Sequence, residues 1–264
     1  MKFKMLLSVA ALAFAAAMPA SAAPTYPVFQ VTPGNGLNPF FANDLGGQYF
    51  ETISFDGAGH FNVSLLFIGS TFSMDATPTN SSIIPAVSGL GAKYGLNAYL
   101  TGSGNYSTAG DGTTTFLLTA GNLSLMLDQG VNDDYGNIMN PVNGALAYAM
   151  AGDGDDVLLG SGSNITGTGV SLGQSCTNNN CGSFGQTAEF ALTADGKGFF
   201  TSPIPFYSIA LTSGQFQGIN PTSGPGTINS SGTANTVFNV PEPSALALSG
   251  LALLALGFSR RRKA

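Results

Sequence analysis

The strongest constraint in this chain is a hairpin spelled out in alternating side chains. Residues 49–55 and 60–68 are two apolar-rich runs separated by Asp56-Gly57-Ala58-Gly59. Phe61, Val63 and Leu65 fall on one face, because successive side chains of a strand point to opposite sides. Asp and Gly in the short connection suit a tight antiparallel turn. An isolated hairpin is marginal in water, so the rest of the chain must supply more strands.

It does so repeatedly. Strand-like runs are predicted at residues 26–31, 94–100, 113–119, 123–128, 157–159, 189–193, 199–200, 207–211 and 236–238. Residues 113–119 and 123–128 form a second hairpin around Ala120-Gly121-Asn122. Residues 70–90, broken by Pro78 and Pro85, read as a long loop, as do residues 130–143. Residues 145–151 fit either helix or strand. Outside the two ends of the chain no stretch keeps a 3.6-residue period. With 36 glycines, 19 phenylalanines and no tryptophan, the expected fold is all-β. Its expected form is an antiparallel, jelly-roll-like β-sandwich with an aromatic-rich core, flanked by an N-terminal signal helix and a C-terminal transmembrane sorting helix.

The two ends are of another kind. Lys2 and Lys4 precede an apolar stretch, and Ala20-Ser21-Ala22 is a small-x-small cleavage site, so residues 1–22 read as a secretory signal cut after Ala22. At the other end Pro241-Glu242-Pro243 is followed by the uncharged apolar residues 244–258 and then by Arg260-Arg261-Arg262-Lys263. Fifteen helical residues span roughly 22 Å, short of the ~30 Å hydrocarbon core. The basic end stays cytoplasmic by the positive-inside tendency. This tripartite block, residues 240–264, resembles a PEP-CTERM sorting signal, the tail that exosortases of Gram-negative bacteria process. The resemblance implies an exosortase partner that recognises Pro241, Glu242 and Pro243, with Arg260, Arg261 and Arg262 as a basic stop. It implies membrane contact that is transient, as with a removed GPI signal. The expected organisation is therefore a signal at 1–22, a β-domain at 23–213, a Gly/Ser/Thr-rich strand and linker at 214–239, and the sorting signal at 240–264.

Between the ends the charge is one-sided. Six of the 8 cations lie in the terminal segments, as does one of the 14 acidic residues, which leaves thirteen carboxylates against Lys93 and Lys197. Binding to nucleic acid needs Lys and Arg on phosphates, so it is not expected. Export would also place Cys176 and Cys181 where a disulfide persists, closing a short polar loop.

A second resemblance runs through the middle. Residues 50–59, 156–160, 181–184, 190–200 and 202–209 follow, in order and spacing, the flocculation-associated group of PEP-CTERM proteins. That resemblance implies a non-enzymatic exported protein that helps cells aggregate with exopolysaccharide. It carries over no catalytic residue.

Few residue patterns suggest chemistry. Gly152-Asp153-Gly154-Asp155-Asp156 nearly spells one turn of a calcium β-roll. It occurs once, with Ala151 in place of the first glycine, so Asp153, Asp155 and Asp156 read mainly as an acidic turn before a strand, with calcium as a weak candidate and no other cofactor expected. His60 is the single histidine, so any catalytic triad must use it. Gly169-Val170-Ser171-Leu172-Gly173 fits a nucleophile elbow, but a loop-like Gln174-Ser175 follows where a helix is needed. Asp133, Asp134 and Glu51 could pair carboxylates for glycoside cleavage, and Tyr94, Tyr99 and Tyr106 could stack on sugars. The expectation is an exported surface or matrix protein, not an enzyme, that meets exopolysaccharide or neighbouring cells. The alternative is a secreted carbohydrate-binding module or polysaccharide hydrolase.

Overall fold

A computed structural model describes residues 27–34, 36–76, 79–172, 182–202, 208–213 and 224–239, with the backbone alone at 75–76, 79–81, 208–213 and 239. The expected signal at 1–22, Cys176 and Cys181, and the tail at 240–264 lie outside these residues.

The central hairpin forms as expected from β3 (Asp44–Phe55) and β4 (His60–Ala76), paired from Asp44↔Ser73 to Phe55↔Phe61. The turn is fixed by Asp56, whose Oδ1 accepts from Ala58 N at 2.7 Å and His60 N at 3.0 Å. The chain then continues as β6 (Gly95–Thr108), β7 (Thr114–Asp128), β8 (Val157–Ser171), β9 (Gly182–Leu192), β11 (Ser208–Ser213) and β12 (Gly226–Asn239). Each of these pairs with its predecessor and with its successor, antiparallel throughout, and β12 returns to β3. The all-β antiparallel expectation is borne out. In finer detail a single curled sheet, closed in chain order, stands where two packed jelly-roll sheets were expected. β5 (Thr79–Ile83) adds only to the end of β4.

Bulges help the sheet to curl. Register shifts occur at Gly46/Gly47 and Ser103/Gly104, and a bulge bends its strand and increases twist. A Cβ on Gly47 would meet Ile68 O at 2.1 Å, and one on Gly104 would meet Leu117 O at 2.0 Å. Both positions require glycine because another backbone crosses there.

The inward face is the core. Leu45, Tyr49, Phe67, Phe72, Leu96, Leu125, Leu159 and Phe238 are almost fully buried in it. A small sheet of β1 (Phe29–Val31), β2 (Phe40–Ala42) and β10 (Phe200–Ser202) packs on the barrel where Phe72 and Phe238 stand. Phe29 meets Phe238 edge-on at 5.0 Å, Phe200 at 5.9 Å and Phe72 at 6.2 Å. Such T-shaped pairs place a ring edge against a ring face, which adds to the burial itself.

Several boundaries differ from the sequence reading. The hairpin expected around Ala120-Gly121-Asn122 does not form: β7 runs unbroken through these residues, which pair with Ser103, Gly102 and Thr101 of β6. The expected loop at 70–90 holds the end of β4, then β5 and the short helix α1 (Pro85–Ser88). Residues 145–151 are neither helix nor strand. The boundary expected at 213 falls inside the barrel, because β12 pairs with β3 from Gly226↔Phe55 to Thr236↔Leu45. The β12 composition resembled a linker because most of its inward positions are small or polar: Ser230, Gly232, Ala234 and Thr236 alternate with outward residues.

Candidate functional site

The long connection from β7 to β8, residues 129–156, lies against the outside of the barrel. Its Tyr148 and Met150 pack on Leu66 of β4, with Phe50, Ile68, Tyr99, Tyr135 and Ile138 around them. Gly144 N donates to Ser54 Oγ at 2.7 Å, and the Tyr148 hydroxyl bonds Thr52 Oγ1 at 2.9 Å and Asn140 Oδ1 at 3.1 Å. A connection this long with its own packed side chains is the type of loop that tends to carry function.

Both ends of this segment are acidic. Asp128, at the end of β7, is spent on folding the loop: Oδ1 accepts from Gly130 N at 3.0 Å and Asn132 N at 3.3 Å, and Oδ2 from Asp133 N at 3.4 Å. Asp133 lies under the segment, 7 % exposed, where its Oδ2 accepts from Asn97 Nδ2 on β6. Asp133 Oδ1, both carboxylate oxygens of Asp156, Asn97 Oδ1 and the Tyr99 hydroxyl are buried without a hydrogen-bond partner. Burial, then the Asp128 charge, raises the Asp133 carboxyl to about 6. Burial, then the charge of Asp133, raises Asp156 to about 7. Burial, with added repulsion from Asp133, also pushes up the Tyr99 hydroxyl.

The acidic motif anticipated from the sequence is divided by this geometry. Asp153 to Asp155 form one 3-10 turn ahead of β8. Asp153 Oδ2 accepts from Met150 N at 3.2 Å, and the exposed Asp155 Oδ1 accepts from Asn132 Nδ2 at 3.2 Å. Only Asp156 keeps both oxygens free. Among the described residues no three His, Cys, Asp or Glu side chains form a group able to hold a metal by themselves. Asn97 gave no signal in the sequence. It reads as a polar break in an apolar strand, and only the fold places it under the 129–156 segment.

A second buried acid faces the other way. Glu51 points into the barrel at a cavity of about 50 Å³ among Ile53, Phe61, Val63, Leu65 and Phe116. Burial alone raises its carboxyl to about 8. Glu51 and Asp133 therefore lie on opposite faces of the sheet and do not form the carboxylate pair considered for glycoside cleavage. Asp134 is exposed. His60 bonds Asp56 Oδ2 through Nδ1 at 2.7 Å on an exposed turn, and the backbone N–H groups of His60 and Ala58 hold Asp56 down at about 2. No hydroxyl or thiol joins this pair among the described residues. Ser171 is the last residue of β8 and fully buried, and the segment in which the elbow's helix would follow, from residue 173, lies outside the described residues. Tyr94 is buried against Phe199 at 5.4 Å, and Tyr106 packs on Phe55 at 5.0 Å, so both serve the core and not a sugar-stacking face.

Residues 239–263 match the family described as the PEP-CTERM protein-sorting motif. The chain carries an exosortase sorting tail. It follows that this is an exported protein, sorted by exosortase and directed to the cell surface. No curated protein and no solved structure matches the chain. Among the described residues no helix is long and apolar enough to cross a membrane, which says nothing of strands.

Proposed function

We propose that this PEP-CTERM protein is a surface or matrix component that supports cell aggregation, as in flocculation or biofilm, together with exopolysaccharide. Its work is adhesion and not catalysis. The observation that carries this reading is the sorting tail at residues 239–263, joined directly to β12 of a closed β-barrel. The excess of carboxylates over Lys93 and Lys197 favours neutral glycans or cation-bridged acidic ones as partners over phosphate-rich polymers.

Deleting the gene is expected to leave cells dispersed while exopolysaccharide is still produced and the other exosortase substrates are still sorted. Normal flocs in the deletion strain would refute the proposal. A hydrolase would instead release reducing ends from purified exopolysaccharide and lose that activity in His60→Ala.

A further inference from the structure

We propose that Asp133, Asp156 and Asn97, brought together beneath residues 129–156, form a calcium site. These side chains come from the start of the covering segment, its end, and the barrel wall at β6. They present four acceptor oxygens that nothing in the protein satisfies: Asp133 Oδ1, Asp156 Oδ1 and Oδ2, and Asn97 Oδ1. Native proteins rarely leave buried acceptors unpaired, so a concentration of them at one place requires an explanation.

The orientation of Asn97 points to a cation. Its Nδ2 is committed to Asp133 Oδ2, so the atom left over is the carbonyl oxygen, which can only accept. Asn97 is 0 % exposed and lies beyond the reach of bulk water. The Tyr99 hydroxyl adds a fifth buried oxygen on the same outer wall of β6. Neither carboxylate is paired with a lysine or arginine among the described residues. An unpaired buried charge is costly, and a bound cation would remove both the charge and the unpaired acceptors.

The oxygen set selects the ion. Calcium takes 6–8 oxygens in irregular arrangements, mixing carboxylates, amide carbonyls and water, whereas magnesium requires a regular octahedron. No histidine or cysteine is present to favour a transition metal. Two carboxylates with neutral oxygens also fit the finding that no three acidic or other strong ligands converge. The ion would tie the two ends of the covering segment to the barrel wall. This inference does not depend on the adhesive role and goes beyond it.

The test is thermal unfolding of the full chain, with chelator and with about 10 mM calcium chloride, followed by circular dichroism. Calcium is expected to raise the midpoint on the order of 5 °C. Calorimetry is expected to show one site with Kd about 10⁻⁴–10⁻³ M, the range of extracellular calcium modules. Asp156→Asn should abolish both signals, whereas Asp155→Asn should leave them in place. A folded wild-type chain that gives neither heat nor a shift overturns the proposal. So does an equal response to magnesium, which would mean charge screening, or an equal loss of response in the two variants.

Discussion

Glu51 and Asp133, the latter with the half-buried Asp156 whose carboxylate oxygens are shielded from solvent, lie on opposite faces of one sheet, and their surroundings differ. Glu51 is a single carboxyl at a mostly apolar cavity that Thr168 and Gln186 also line, and burial raises it to about 8. Asp133 and Asp156 lie close enough for one charge to act on the other, beside an amide and a hydroxyl. The first arrangement favours a neutral acid. The second concentrates oxygens that a cation can use. Burial is common to both, so it is the company of other acceptors that separates an isolated acid from a candidate site.

The largest expected effect tests how much the two faces contribute to stability. Phe238 is 1 % exposed and packs on Phe29, Phe200 and Phe190. Phe238→Ala should cost up to about 5 kcal/mol, through lost burial and the cavity left behind. Leu66 on the outer face is also fully buried, but beneath a loop that can settle after truncation. Leu66→Ala should therefore fall near 2 kcal/mol, the low end of its class. Urea midpoints at constant m-value check both, and equal costs would mean that the outer segment is packed as firmly as the core.

The next effect concerns pH. Below the ordinary glutamate value both folded and unfolded chains hold the Glu51 proton, and its contribution is fully favourable. As pH rises toward 8 the unfolded chain releases the proton while the folded one keeps it, so stability falls, and the loss is complete above 8. The fall should be roughly 3–4 kcal/mol, somewhat less than the full shift because the cavity can admit water. Glu51→Gln should remove that part of the slope. Asp133 and Asp156 act with the same sign over a lower window that ends near 6 and 7. Asp156→Asn should flatten only this lower part. Calcium should do the same in the wild type and leave the Glu51 part untouched, so stability curves from pH 4 to 9, with and without calcium, separate the two sites. A calcium effect that persists in full in Asp156→Asn would show that the ion acts elsewhere.

Strands with large apolar residues at their inward positions were legible in the sequence, and strands with small or polar ones were not. Period-two alternation found residues 49–55 of β3, the first half of β4 and the two apolar runs of β7, where Phe61, Val63, Leu65, Leu123, Leu125 and Leu127 face the core, but it broke β7 at Ala120-Gly121-Asn122, small and polar residues that read as a turn and in fact continue the strand. It missed most of β8 and β12, because their inward positions include Gly162, Ser230 and Gly232, which read as loop. Ring closure between β3 and β12 could not be read locally, since it joins residues 226–236 to residues 45–55 across the whole barrel. At the proposed site the Asp153-Gly154-Asp155-Asp156 pattern points to the same segment and shares Asp156 with it. It also suggested Asp153 and Asp155, which are engaged elsewhere. Asp133 and Asn97 are partners by hydrogen bond over 36 residues of sequence, a relation that composition and spacing do not record.

The smallest effect probes what holds the covering segment in place. The Tyr148 ring packs on Leu66, while its hydroxyl bonds Thr52 Oγ1 and Asn140 Oδ1. Tyr148→Phe keeps the ring and removes both bonds, so it should cost about 1 kcal/mol. If the segment is anchored here and by an ion at its two ends, the cost should be larger with chelator than with calcium, because losing one anchor matters more when the other is absent. The double comparison, wild type and Tyr148→Phe with and without calcium, measures that coupling. Strict additivity would mean that the Tyr148 anchor and the Asp133–Asp156 cluster hold the segment independently.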